Sequence, residues 1–315
     1  MTARKMIAST MIGALLAAGL SLTAVAQTKV SVGYTAVTDF STLFVAKEQG
    51  IFAKHGLDVE PVFIAINSNI PAAIQSNSIQ IGGPTPSVFL QAVDGGLDLV
   101  TVAGTGVTSP EAVKGVGVVA RPEANIKNPQ DFVGKKVGAP GIGAFLHVLF
   151  RQWLMEKGVD VKKVNFVEVS FPTMNDILKA GTVDAVVTAD PFMARIVGSG
   201  TGTVVANYLA DLPFDQPSII YTSTRDWAAK NAKTVKAYQD AIKEASDFIK
   251  ADEGKLKTRA DIGKHIKLPP EVLATINISN PNPVVSTDQL NWWIKVMQGQ
   301  DMLQGKLDAA KLIVK

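Results

Sequence analysis

From Lys29 onward, short runs rich in β-branched residues alternate with stretches whose apolar positions recur every three or four residues. Strands are predicted over 29–34, 58–63, 79–81, 97–103, 115–120, 136–139, 164–169, 183–188 and 202–206, with helices in the intervals. That alternation predicts an α/β fold with mostly parallel sheets. Ser41 opens a helix that stops at Gly50, and Ile70 to Gln75 follows the polar Asn67-Ser68-Asn69. After Arg225 the pattern turns helical. Val235, Tyr238, Ile242, Ala245 and Ile249 make one apolar stripe, and Ser286 with Gln289 matches a capping box ahead of Leu290, Trp292, Trp293 and Val296. Of the tandem tryptophans, one is expected to pack inward and the other to lie in a groove.

The first 26 residues follow a different pattern: a basic start (Arg4, Lys5), an apolar stretch through Ile12, Leu15, Leu16 and Leu20, and the small-residue end Ala24-Val25-Ala26. This reads as a cleaved export leader cut after Ala26, which places the remaining chain in the periplasm. Without Arg4 and Lys5 the formal charge falls from +3 to +1, so the balance of charge does not point to nucleic acid. Cysteine is absent, which excludes disulfides, thiolate nucleophiles, cysteine metal sites and a lipidated cysteine. An exported chain of this kind must be held by its core. With 47% apolar residues that is feasible for about two domains.

Much chemistry is missing. There is no Gly-x-x-x-x-Gly-Lys-Ser/Thr loop for nucleotide phosphates, and Leu146 stands where a dinucleotide fingerprint beginning at Gly141 and Gly143 needs its third glycine. Val197-Gly198-Ser199-Gly200-Thr201 does not supply a hydrolase elbow. His55, His147 and His265 are not spaced as metal ligands, so no metal or cofactor is expected, and His147 reads as a structural histidine. What remains is a repeated polar or glycine-containing loop between a strand and the helix after it. These are Asp39-Phe40-Ser41, Asn67-Ser68-Asn69, Gly83-Pro84-Thr85-Pro86-Ser87, Gly141-Ile142-Gly143-Ala144 and Asp190-Pro191-Phe192. In parallel α/β sheets such loops gather at the carboxyl edge, where small ligands bind, and free amides at helix starts there favour an anion. Candidate contacts are therefore Asp39, Phe40 and Ser41, then Asn67, Ser68, Thr85 and Pro86, then Gly141, Gly143, Ala144 and Phe145, and finally Asp190 and Phe192. Asp190 reads first as a helix cap; turned into a cleft, it would prefer a cationic or hydrogen-bond-donating ligand.

Three blocks of the chain carry a resemblance. The run from Phe171 to Phe192, which contains Gly181-Thr182-Val183-Asp184 and ends Asp190-Pro191-Phe192, resembles the second-lobe signature of solute-binding proteins of nitrate, sulfonate and taurine importers and their thiamine-precursor-binding (NMT1/THI5-like) relatives. The turn Gly50-Ile51-Phe52-Ala53-Lys54-His55-Gly56-Leu57 and the block Asn128-Pro129-Gln130-Asp131-Phe132-Val133-Gly134 are similar to the same family. The resemblance implies a periplasmic binding protein of type 2: two α/β lobes joined by two crossings, with Ser41, Asn67, Thr85, Gly143 and Asp190 facing the cleft. Lobe one would be residues 27–110 plus 218–315 and lobe two residues 111–217, with crossings near 111–118 and 216–222.

It further implies a monomeric, non-catalytic protein that captures a small-molecule ligand and delivers it to an ABC permease and its ATPase. With Phe40, Phe89, Phe145 and Phe192 near the loops, the expected ligand is a small organic anion, a sulfonate or a carboxylate, possibly aromatic. Two alternatives stand beside it. One is a thiamine-pyrimidine-precursor binder or a synthase-like enzyme of the same fold, although such synthases use a cysteine-rich segment that this chain lacks. The other is a ligand-sensing subunit of a signalling system.

Overall fold

The computed structural model describes residues 27–314; the leader read over residues 1–26 lies outside them. Eleven strands form two sheets. They are β1 (Thr28–Tyr34), β2 (Leu57–Phe63), β3 (Ile81–Gly82), β4 (Leu99–Val107), β5 (Val116–Ala120), β6 (Lys136–Ala139), β7 (Asn165–Glu168), β8 (Ala185–Ala189), β9 (Thr203–Ala206), β10 (Pro217–Thr224) and β11 (Asn280–Pro281). The six-stranded sheet runs β11-β4-β10-β3-β1-β2 and the five-stranded sheet β7-β6-β8-β5-β9. Both are flanked by helices. The chain passes from the first sheet to the second between β4 and β5 and returns between β9 and β10.

The pairings are mixed rather than mostly parallel. β1 with β2 and β3, and β6 with β7 and β8, are parallel and are linked through intervening helices. The strands on either side of the passages behave differently: β10 runs antiparallel to β3 and β4, and β5 runs antiparallel to β8 and β9. A strand that enters a sheet directly from the other half has no βαβ crossover to set its direction, so antiparallel pairing is open to it.

The elements follow local chemistry. All nine residues of β4 and all five of β8 are buried, as expected for strands covered on both faces. In the helix Ala232–Ala251 the residues read as a stripe, Val235, Tyr238, Ile242, Ala245 and Ile249, are buried. The helix Thr287–Gln298 opens with the capping box of Ser286 and Gln289. Glu48 receives Lys264 at 2.8 Å and His265 at 2.9 Å, which ties the helix Ser41–Glu48 to Leu256–His265. Among the described residues no helix is long and apolar enough to cross a membrane, and no group of three acidic or histidine side chains is placed to hold a metal ion.

Candidate functional site

A crevice with a cavity of about 70 Å³ lies between the two sheets, several times the ~10–15 Å³ that one water needs. The loops after β1, β2 and β3 and the ends of β4 and β10 form one wall. The passage into β5, the start of the helix Phe145–Glu156 and the end of β8 form the other. Asp39 projects from the first wall, on the short turn that follows β1. Its carboxylate accepts hydrogen bonds from the Ser218 and Ser279 hydroxyls. Enclosure pushes its pKa above the ordinary carboxylate range, and the two hydroxyls oppose that shift.

Asp190 projects from the second wall, where β8 ends, and is only 4% exposed. Its Oδ1 accepts the Ala194 amide at 3.2 Å, so it does cap a helix. Its Oδ2 accepts the amide and side-chain nitrogen of Asn277 at 3.1 and 2.9 Å, and Asn277 comes from the chain leading to β11. Burial raises its pKa, against the pull of the Asn277 and Ala194 donors. Asp190 thus joins the two walls.

Asn67 is buried with both polar atoms engaged. Its Nδ2 donates to the Gly83 carbonyl at 3.1 Å and its Oδ1 accepts the Thr85 amide at 2.8 Å, which pins the loop after β3. Thr85 then caps the helix Pro86–Asp94 through the Val88 amide. Opposite, Ala144 and Phe145 line the crevice, and the Phe145 ring meets Trp293 at 5.5 Å across the two walls. Gly143 sits behind them with φ 83°, a left-handed conformation that requires glycine.

The family model described as NMT1/THI5 like matches residues 37–254, more than half of the chain. The chain belongs to the NMT1/THI5-like family. The nitrate/nitrite binding protein NrtA of Nostoc sp. strain PCC 7120 is 26% identical over 249 residues, covering 73% of this chain and 56% of that protein. The nitrate import ATP-binding protein NrtC of Synechocystis sp. is 25% identical over 281 residues, 82% of this chain and 40% of its own length. The chain spans about half the length of these curated relatives. Among solved structures, the alkanesulfonate-binding protein SsuA from Xanthomonas axonopodis pv. citri superposes with a TM-score of 0.76 at 19% identity, covering 91% of this chain and 98% of that one. The periplasmic nitrate-binding protein NrtA from Synechocystis PCC 6803 gives 0.78 at 19%, covering 91% and 86%. These two likenesses establish the periplasmic-binding-protein fold for this family member.

Of the positions read from the family pattern and the loops, Asp39, Asn67, Thr85, Ala144, Phe145 and Asp190 line the crevice. The others lie behind or beside it. Phe40 is fully buried between Tyr34 and Tyr221, and Ser41 turns its hydroxyl onto the Thr38 carbonyl of its own turn. Pro86 is the first helical residue after Thr85. Ser68 lies on an outer groove with Pro71 and Gln75, its hydroxyl 3.4 Å from Glu168. Gly141 and Gly143 shape the loop, and Phe192 stacks at 5.5 Å behind Phe171, which itself faces the cavity.

Thr35, Thr38, Thr108, Leu209, Ser218, Asn277 and Ser279 also line the crevice and escape the sequence reading. For Asn277 and Ser279 the only local signal is the polar, proline-containing run that ends in Asn280-Pro281-Asn282-Pro283. It marks a loop and says nothing of what the loop faces.

His147 is structural. It is 2% exposed, its Nδ1 accepts the Gly143 amide at 3.0 Å, and its ring meets Phe166 edge-on at 4.7 Å. Burial, with a smaller contribution from the Arg151 guanidinium, brings its pKa down to about 3. The folded state therefore keeps it neutral while the unfolded chain protonates below its ordinary 6.5, so acid erodes stability as pH falls from 6.5 towards 3. The nuclear magnetic resonance signal of its ring Cε1 proton is expected to stay flat from pH 8 to about pH 5; a midpoint near pH 6.5 would contradict this placement.

Proposed function

We propose that the chain is the solute-binding component of an ABC import system, working in the periplasm as a monomer without catalysing a reaction. The two sheets with their helices act as lobes, residues 27–110 with 218–315 and residues 111–217. They close over a small organic solute, and a membrane permease with its ATPase receives it. The observation that carries this reading is the crevice itself: Asp39, Asn67 and Thr85 from one sheet face Phe145, Phe171 and Asp190 from the other across a cavity that neither sheet forms alone. Membership of the NMT1/THI5-like family supports it, as do relatives whose names record binding and import of nitrate or nitrite. Contacts completed from both sides make ligand favour the closed form.

The chain has no cysteine, so a cysteine pair introduced at the exposed Ser76 and Lys162 labels one position on each lobe. Compounds that raise the melting temperature are expected to shorten and narrow the spin-label distance. A stabilising compound that leaves that distance unchanged would end the closing-lobe reading.

A further inference from the structure

We propose, resting on the capture reading above, that the solute is an organic molecule of zero or positive charge with an apolar body and nitrogen donors, meeting Asp39 on one side and Asp190 on the other. The crevice has unused acceptors, and its unused side-chain donors are neutral hydroxyls rather than cations. Its lining, among the described residues, holds two carboxylates and no lysine, arginine or histidine. A carboxylate offers about four lone-pair positions. Asp190 fills three of them with Ala194 and Asn277, and Asp39 is met by the hydroxyls of Ser218 and Ser279. Both keep acceptor capacity beside the cavity.

Several of the amides around the two helix starts are already committed. At the helix after β3, the Thr85 amide goes to Asn67, Pro86 has none, and the Val88 amide goes to the Thr85 hydroxyl. In the loop ahead of the helix Phe145–Glu156, the Ile142 amide goes to Glu168 at 2.9 Å, the Gly143 amide to His147 and the Ala144 amide to the Gly141 carbonyl at 3.1 Å. The Phe145 and Leu146 amides remain, but they lie in a lining whose charged side chains are the two carboxylates. An anionic head would thus face two like charges without a cation to offset them. A protonated amine or amidine would complete both carboxylates, and Val113, Leu146, Phe171, Leu209 and Ile219 would cover its body.

The test uses matched probes on the purified protein: n-butylamine, benzylamine and benzamidine against butanoate, benzoate and benzenesulfonate, by thermal shift and titration calorimetry. Binding is expected from the nitrogen set only, and weakened at least tenfold by Asp39→Asn and by Asp190→Asn. Binding confined to the carboxylates and sulfonate overturns the charge class and leaves solute capture standing. Nitrogen-set binding that neither variant weakens places the site elsewhere and overturns the proposal. No binding from either set, with no change in the Ser76–Lys162 label distance, overturns both. The ranking of matched probes on the native protein decides the charge class even where a variant folds poorly.

Discussion

Replacing Trp293 by alanine is expected to cost about 3–5 kcal/mol of folding stability, the range for truncating a fully buried tryptophan. Trp293 has 0% exposure, packs against Phe145 at 5.5 Å and meets Trp292 nearly at right angles at 5.2 Å. Its Nε1 also donates to the Pro217 carbonyl at 3.3 Å, so the change leaves a buried acceptor at the start of β10 unpaired as well as a cavity. The neighbouring Trp292 is only half-buried, and Trp292→Ala is expected to cost less than about 1.5 kcal/mol. Denaturant unfolding of the two variants side by side checks the contrast. Equal losses would mean that the second ring is as much a part of the core as the first. Because Phe145 lies on the opposite wall of the crevice, Trp293→Ala is also expected to loosen the contact between the two sheets.

The pair of tryptophans shows where sequence reading succeeds and where it stops. Position along a helix is a local property, so a stripe such as Val235 to Ile249, a capping box at Ser286, or β6 between Gly134 and Pro140 can be read from neighbours alone. Thr85 and Asn67 are read from polar loops between a strand and a helix and from the family pattern, whereas the bonds from Asn67 to Gly83 and Thr85 span 16 and 18 residues and leave no local signature. What the aromatic near a loop faces is not local. Phe40 and Phe145 have the same standing in the sequence, yet one lies beneath Gly83 against the core and the other lines the cavity. β10 falls where the second crossing is expected, near 216–222, but its place between β4 and β3 depends on strands more than a hundred residues earlier. Asn277 lies 87 residues from the Asp190 carboxylate it meets, and no spacing rule reaches that far.

That distant pair supports the second large effect expected: Gly115→Val should weaken solute binding by roughly thirtyfold or more, an amount that corresponds to about 2 kcal/mol. Gly115 lies directly beneath the meeting of Asp190 and Asn277. A Cβ at this position would stand 2.8 Å from Asp190 Oδ2, 3.0 Å from Asn277 Cβ and 3.2 Å from its Nδ2. Nor can Asp190 simply swing away, because its Oδ1 holds the Ala194 amide and its own amide is bonded to the Gly115 carbonyl at 2.7 Å. The added side chain must therefore part the carboxylate from Asn277, and hydrogen bonds to a charged group are worth about 1.5–3 kcal/mol each. On the closing-lobe reading, those bonds form only while the two walls are together. Losing them penalises the closed form specifically, and apparent affinity falls with the population of the binding-competent state. Gly198→Ala is the control: a Cβ there meets nothing within 4 Å, so binding is expected to stay unchanged and stability to rise slightly, by up to about 1 kcal/mol, as a helical glycine is replaced. If Gly115→Val keeps native circular dichroism and binds as tightly as the parent, the contact between Asp190 and Asn277 does not hold the crevice closed.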